Sequence, residues 1–286
     1  MTVTVFMAVL FTSSLFVILK LFDRFKISNI HGLTFNYFTA GICYTVYSKQ
    51  TFSSISGFAA SYFPYFFLSG SLFIGVFYLT ALSSQKNGVA STTIASKMSL
   101  VIPTLLAVYL YDETFSIQKT TGLLMALAAV YLSARGSNNK SSVSGWTLPL
   151  LVFAGAGLVD ASIKYTQYVF TDNEGRNSYF SLVFFSAAVI GSCILLFSKN
   201  KSSANNKSSN IIAGIILGIF NFISLYYMIA ALQEFHADSG KAFILINSGV
   251  VLLNFLLSII LFHENKNKQS WFGVVLAIVA IIILSH

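Results

Sequence analysis

Ten mostly apolar runs follow one another along this chain of 286 residues, and short polar connectors separate them. A helix that crosses a bilayer needs about 20 predominantly apolar residues, and the lipid accepts apolar side chains on every face of such a helix. The pattern therefore predicts an all-α integral membrane protein with ten transmembrane helices. The runs cover residues 3–21, 32–47, 60–82, 89–111, 119–134, 146–169, 179–197, 211–232, 241–262 and 271–284.

The composition excludes several other classes of protein. Only 9% of the residues are charged, against about 25% in soluble domains, so the expected surroundings are a lipid bilayer. The net charge of +8 comes from Lys and Arg that lie mainly in connectors, without a contiguous basic stripe, and we expect no nucleic-acid partner. Cys43 and Cys193 each stand alone in an apolar run, so we expect no metal site, disulfide or cofactor.

Two stretches of the chain match each other at one constant offset. Glu113 and Gly122 in the first stretch align with Glu264 and Gly273 in the second, with a Leu match before the Glu and a Gln match between the Glu and the Gly. Matching alanines continue the alignment into the helix that follows each stretch. The sequence therefore predicts an internal repeat, with these Glu and Gly residues as its structural motif.

The repeat divides the chain into two halves of five helices each. We predict a first repeat at 1–135, a polar linker at 136–145 and a second repeat at 146–286. Because five is an odd number of spans, the second copy enters the membrane from the opposite side. This predicts two inverted repeats around a central cavity, an architecture that suits alternating access.

The order of the Gly, Pro and Glu residues in the first half resembles that of a known family. The segments 77–82 (FYLTAL), 88–91 (GVAS) and 110–113 (LYDE), together with Pro103 and Gly122, are similar to the third to fifth helices of the EamA-type drug/metabolite transporter superfamily. The resemblance implies a ten-helix basket with a central cavity that transports metabolites such as amino acids. It does not imply one particular cargo, since fold alone does not choose among substrates.

Charged residues inside the predicted spans are the first candidates for a solute or ion site, because such residues are costly in lipid and often mark transport paths. Asp160 lies near the middle of the sixth span, and Lys164 follows it at a spacing that places both on one helix face. Lys97 lies six residues before Pro103, which is expected to bend the fourth helix beside it. The alternatives are a local Asp160–Lys164 ion pair and a Lys97 side chain that extends toward the membrane surface.

Polar and aromatic residues in other spans extend the candidate solute site. Asn221 and Asn247 place amides in apolar spans, and Tyr78 and Tyr227 could line a cavity with rings and hydroxyls. Hydrogen bonds between helices explain such amides at least as well as contact with cargo. Asn254 shares a helix face with Asn247 and stands where the repeat offset places the partner of Pro103, so we expect no proline kink in the second half.

Two further features are expected to be structural. Glu113 and Glu264 lie at helix ends, where a carboxylate caps a helix or orders a connector. Gly214 and Gly218 form a G-x-x-x-G sequence, which favours close packing of helices either inside the bundle or in a homodimer.

The motifs of hydrolases and nucleotide-binding enzymes are missing from the sequence, so we expect no enzyme activity. The chain is predicted to be a secondary transporter that moves small polar metabolites across a cell membrane, with an ion gradient or solute exchange as the driving force. Proton coupling through Asp160 is one hypothesis. A membrane-embedded enzyme and a non-transporting channel or scaffold are the alternatives.

The expected location is the bacterial inner membrane. Lys and Arg are concentrated in connectors that follow odd-numbered helices, and this bias places both termini outside the cell. The family resemblance implies both termini inside.

Overall fold

The computed structural model describes residues 2–49, 52–102, 117–135, 144–169, 173–197, 207–235, 239–264 and 267–284. Within these ranges the chain forms ten helices and no strand, which confirms the predicted all-α class. The helices are α1 (Val3–Arg24), α2 (Asn29–Tyr47), α3 (Phe52–Asn87), α4 (Val89–Met98), α5 (Ile117–Arg135), α6 (Ser144–Val169), α7 (Asn173–Phe197), α8 (Lys207–Glu234), α9 (Ser239–Ile260) and α10 (Lys268–Leu284).

Several of the helices are long and apolar enough to cross a bilayer. Five of them contain such a span, and three shorter apolar helices accompany them. The protein is therefore a multi-pass membrane protein. The five spans are Val3–Arg24, Tyr62–Asn87, Trp146–Ile163, Asn177–Phe197 and Lys207–Glu234.

The third and fourth helices differ most from their predicted spans. Helix α3 begins at Phe52, before the predicted start, and is interrupted at Tyr62, where φ is −120° and ψ is 19°. Pro64 explains the interruption, because proline has no N–H to donate and its ring clashes with the carbonyl group four residues earlier, here that of Ala60, so the helix is distorted in this turn. Helix α4 ends at Met98, and helical backbone begins again at Val101. Pro103 lies outside the described residues, so its kink stays a prediction.

The chain forms two compact units, each of which draws on both predicted repeats. Unit 1 comprises Met1–Lys20, Leu79–Ala161 and Ile223–His286, and unit 2 comprises Leu21–Tyr78 and Ser162–Phe222. Unit 1 therefore contains the whole of α4, α5, α9 and α10, whereas unit 2 contains the whole of α2 and α7. The predicted repeat boundaries and the inverted arrangement stay predictions.

Helices α5 and α10 pack against each other in the core of unit 1. Gly273, near the start of α10, lies close to the backbone of Ser133, near the end of α5, so the two helices run antiparallel. Small side chains allow this close approach, because lipid provides little hydrophobic drive for helices to associate. The alanines that match in the predicted repeat are all fully buried here, namely Ala126, Ala129, Ala277 and Ala280.

Helices α2 and α7 form the matching antiparallel pair in unit 2. The Tyr44 hydroxyl donates to Asn177 Oδ1 at 3.3 Å at one end of the pair. At the other end, a Cβ added to Gly191 would lie 2.4 Å from Thr34 Oγ1. Helix α8 also packs on α2, through the G-x-x-x-G sequence.

That G-x-x-x-G sequence makes contacts inside unit 2. A Cβ added to Gly214 would lie 2.6 Å from the carbonyl oxygen of Gly32, and one added to Gly218 would lie 2.6 Å from that of Asn36. Both glycines are therefore needed for packing within one chain, which was one of the two expectations. The homodimer stays a prediction.

Two glycines of α3 offer a matched test of this packing. A Cβ at Gly70 would lie 2.0 Å from Ser186 Oγ and 2.9 Å from the backbone nitrogen of Ala187, whereas a Cβ at Gly75 meets nothing within 4 Å. We expect Gly70→Ala to destabilise the fold by about 1–3 kcal/mol, because backbone atoms of α7 must move. Gly75→Ala should be neutral or stabilising by up to about 1 kcal/mol. Thermal denaturation in detergent, followed by circular dichroism, measures both, and equal midpoints would contradict the packing.

Candidate functional site

Helix α4 is short and carries an unusual run of buried hydroxyl groups. Ser91, Thr92 and Thr93 are at most 3% exposed, in the interior of unit 1. Two of these hydroxyls bond to the backbone of their own helix, Thr92 Oγ1 to Gly88 O at 2.9 Å and Thr93 Oγ1 to Val89 O at 2.8 Å. These two hydroxyls therefore find acceptors at the start of α4, so each O–H group is satisfied although it is buried in unit 1.

A cluster of two opposite charges and a hydroxyl lies at the end of α4. Ser99 follows the helix, and its hydroxyl lies 3.0 Å from Asp160 Oδ2 and 2.5 Å from the carbonyl oxygen of Ser96. Lys97 is half-buried, and its charge interacts with that of Asp160. The structure therefore brings together two of the residues that the sequence singled out. We call Lys97, Ser99 and Asp160 the charged cluster.

Close packing of α6 explains how Asp160 reaches this position. Gly157 lies one turn before Asp160 on α6, and a Cβ there would lie 2.3 Å from Ile102 Cδ1. No larger residue fits this contact unless Ile102 moves. The glycine thus lets α6 approach the segment after α4, and the carboxylate one turn later falls within reach of the Ser99 hydroxyl.

A hydrogen bond ties α4 to α9. The Asn254 amide donates to Thr93 Oγ1 at 2.8 Å, and both side chains are fully buried. The two helices run antiparallel, because Val89 at the start of α4 donates to Glu264, which follows the end of α9. This arrangement fixes which residues of α9 lie beside which residues of α4.

The antiparallel arrangement places Asn247 at the level of the charged cluster. Asn247 precedes Asn254 by seven residues, or about 10.5 Å along a helix axis. Lys97 and Ser99 lie about 6 and 9 Å beyond Thr93, in the direction in which α9 runs back. Asn247 is 4% exposed, and its Nδ2 has no hydrogen-bond partner in the described part of the chain.

Other buried polar atoms of unit 1 resemble Asn247 Nδ2 in having no hydrogen-bond partner among the described residues. Over the ranges that the structure describes, they find no hydrogen-bond partner although they are closed off from solvent, and leaving such an atom unpaired costs about 1–3 kcal/mol. They are Oγ of Ser13, Ser84, Ser91 and Ser248, and Oδ1 of Asn254. With Asn247, four of these residues lie on α4 and α9. We call the charged cluster together with Ser91, Asn247, Ser248 and Asn254 the candidate solute site.

The structure also describes the surroundings of three other predicted site residues. Asn221 donates to Asn36 Oδ1 at 3.2 Å in unit 2, which is a hydrogen bond between helices. Tyr227 stacks on Phe11 with a centroid distance of 6.2 Å, and Tyr78 is 39% exposed on α3.

Two predicted residues, Lys164 and Glu113, lie partly or wholly outside the described part of the chain. Lys164 is helical, but its side chain lies outside the described set, so its pairing with Asp160 stays a prediction. Glu113 also falls outside the described residues. Gly122 is buried on α5, opposite in the predicted repeat to Gly273 on α10.

Sequence reasoning missed three polar residues that matter here, namely Thr93, Ser99 and Asn36. The hydroxyl-rich run at 91–93 was a usable signal for the first, since three adjacent polar residues are unusual in a span. Ser99 and Asn36 gave no such signal, because single polar residues occur throughout the chain. Their partners are distant in sequence and depend on helix packing.

Comparison with known proteins supports the fold and the class. A Haemophilus influenzae protein described as an uncharacterized protein is 25% identical to this chain over 295 residues, covering 98% of the chain and 96% of that relative. A protein of known crystal structure superposes with a TM-score of 0.55 at 14% identity, over 97% of this chain and 96% of that one. At that identity the superposition shows a shared fold and nothing about function.

The sequence profile of a family described as "Sugar transport protein" matches residues 3–286, almost the whole length. The chain therefore belongs to this family of membrane transport proteins.

Proposed function

We propose that this protein is a secondary transporter that moves sugars, or small polar solutes of similar chemistry, across a bacterial inner membrane by alternating access. Membership of a transport family supports the general class and favours a transporter over an enzyme. The observation that carries the proposal is the candidate solute site, which combines charged side chains with buried polar atoms that have no hydrogen-bond partner in the described part of the chain.

The unpaired atoms suit a hydroxyl-rich cargo. Each sugar hydroxyl both donates and accepts hydrogen bonds, so it can satisfy the Asn247 amide N–H, the Asn254 carbonyl oxygen and a serine hydroxyl in turn. Asp160 adds an acceptor, and Lys97 adds a donor. A cargo bound there would replace the missing hydrogen bonds, which is how a transporter can recover the cost of keeping polar groups in its interior.

Alternating access needs two related arrangements of the chain, which inverted repeats provide. Helix pairs that are equivalent in the predicted repeat pack antiparallel, as a two-fold axis in the membrane plane requires. These pairs are α2 with α7, α4 with α9, and α5 with α10. The antiparallel pairs support an inverted, EamA-type architecture for the two repeats.

A second cargo class is favoured by the charged cluster. Lys97 and Asp160 carry opposite charges, and an amino acid carries an ammonium and a carboxylate that complement them. Amino acids are therefore the second candidate cargo.

The first experiment tests the function itself. We expect hexoses or pentoses to raise the thermal midpoint of the purified protein, because a ligand that binds only the folded state stabilises it by about 2.7 kcal/mol at 100 times its Kd. Reconstituted vesicles should show saturable uptake and counterflow of the same solute. Flux that is linear in concentration and lacks counterflow would indicate a channel, and stabilisation by amino acids alone would select the second cargo class.

Substitution of Asn247 tests whether its amide contacts the cargo or only stabilises the fold. We expect Asn247→Leu to raise the midpoint of the cargo-free protein or leave it unchanged, because the variant removes a buried N–H without a partner. The same variant should lose the stabilisation by cargo. Asn221→Leu is the matched control: it breaks the bond to Asn36 in unit 2, so it should lower the midpoint and keep the stabilisation by cargo. A structural role for Asn247 would show instead as a lower midpoint with the cargo response intact.

Asp160 is the proposed proton acceptor of a coupled cycle. Asp160→Asn keeps an oxygen for the Ser99 hydroxyl but removes the charge. We expect this variant to retain counterflow and to lose accumulation driven by a pH gradient. Ser99→Ala, which removes the hydrogen bond and keeps the carboxylate, should still respond to the gradient. If accumulation by Asp160→Asn depends on the gradient as in the wild type, Asp160 does not carry the proton.

A further inference from the structure

The end of α9 holds Glu264 in a defined position. His263 adopts a φ of +49°, a left-handed conformation that often ends a helix, and its N–H donates to Ile259 O at 3.1 Å. The Glu264 N–H then donates to Ser258 O, also at 3.1 Å. The backbone of Glu264 is therefore tied to α9, and its side chain points away from that helix toward the start of α4.

The Glu264 carboxylate caps α4 from a distance of 175 residues in sequence. Its Oε1 accepts the N–H of Val89, the first residue of α4, at 3.1 Å. Gly88 precedes the helix and makes no side-chain cap of its own. Its φ is +91°, and a Cβ there would lie 2.5 Å from Glu264 Oε2, so only glycine leaves room for the carboxylate. A carboxylate in this position also stabilises the positive end of the helix dipole.

Lys20 connects this cap to two further helices. Its Nζ lies 4.0 Å from Glu264 Oε1 and donates to Gln85 O at 2.9 Å. Gln85 in turn donates to Leu19 O at 3.0 Å. The start of α4 and the end of α1 therefore approach one carboxylate from the connector after α9, and the end of α3 is bonded to α1 beside it. We call Glu264, Lys20, Gly88 and the Val89 N–H the α4 latch.

The α4 latch is separated from the candidate solute site by the length of the helix. Val89 and Lys97 are eight residues apart, or about 12 Å along the axis. Glu264 thus does not lie at the level of the charged cluster. It holds the opposite end of the same helix that carries Thr93 and Lys97.

We propose that Glu264 is a positioning residue for transport, and that the α4 latch closes one end of unit 1 and releases α4 when that end opens. The inference rests on the alternating access described under the proposed function, since only a transporter that opens in turn needs a releasable contact there. Three properties favour a releasable contact: the carboxylate comes from another helix, it is shared between Lys20 and α4, and both charged side chains keep some exposure to solvent, 21% for Lys20 and 15% for Glu264.

Labelling of a cysteine behind the latch tests the proposal. Ala90 is 3% exposed in the first turn of α4, so Ala90→Cys, in a chain with Cys43→Ser and Cys193→Ser, reports whether this end is open. We expect Glu264→Gln to speed labelling by a soluble maleimide about five- to tenfold, because it removes the charge that binds Lys20 and the helix end. Asp23→Asn removes an exposed carboxylate at the end of α1 and should leave the rate unchanged.

Further measurements separate a latch from a merely structural cap. Ala187→Cys, a fully buried position on α7, should label at the same rate with and without Glu264→Gln. Equal acceleration at both cysteines, or none at Ala90→Cys, would overturn the proposal. If Glu264→Gln does not fold, Lys20→Gln should accelerate labelling at Ala90→Cys about two- to threefold, and an unchanged rate there also overturns it. Counterflow by the parent protein is measured separately, and its absence would refute the transport function.

Discussion

Polar groups in a lipid environment must find partners inside the protein, and most of this structure follows from that constraint. Helices satisfy their own backbone, and most of the described part of the chain is helical. Polar side chains then bond to their own helix, as Thr93 does, or to a neighbouring one, as Asn221 does with Asn36. Because lipid does not drive helices together as water does, close contact depends on small residues such as Gly70 and Gly157.

The same constraint helps to separate the buried polar residues of unit 1 that stabilise the fold from those that serve a function. A buried amide that bonds to a neighbouring helix, such as Asn254, stabilises the fold. A buried amide group without a partner weakens the fold, and over the described residues the Nδ2 of Asn247 is such a group. A residue of this kind persists when it contributes to something other than stability. The charged cluster follows this logic, because Lys97 and Asp160 lie where apolar residues would be less costly.

The sequence predicted the class of fold and part of the site. Apolar runs indicate helices because their length matches a bilayer, and isolated charges such as Asp160 stand out because lipid disfavours them. The glycine and alanine matches between α5 and α10 predicted a repeat, and Gly273 and the four matched alanines lie in the core where these helices pack. Patterns of this kind depend only on composition and spacing.

The remaining features depend on three-dimensional packing. The contact of Asp160 with Ser99 requires α6 to approach at Gly157, and no local signal in the sequence reports this approach. Glu264 was expected to cap a helix or order a connector, but its place in the sequence does not reveal that the helix it caps begins 175 residues earlier. The break of α3 at Tyr62 had a local cause in Pro64, which span length alone does not reveal.

The early end of α4 has a consequence for the electrostatics of the interior. Because α4 ends at Met98, inside unit 1, its last carbonyl groups point toward the segment that follows, where Ser96 O lies 2.5 Å from the Ser99 hydroxyl. These oxygens carry a partial negative charge, and Lys97 lies in that final turn. A cation at this position is thus stabilised partly by the main chain, which no side-chain substitution removes.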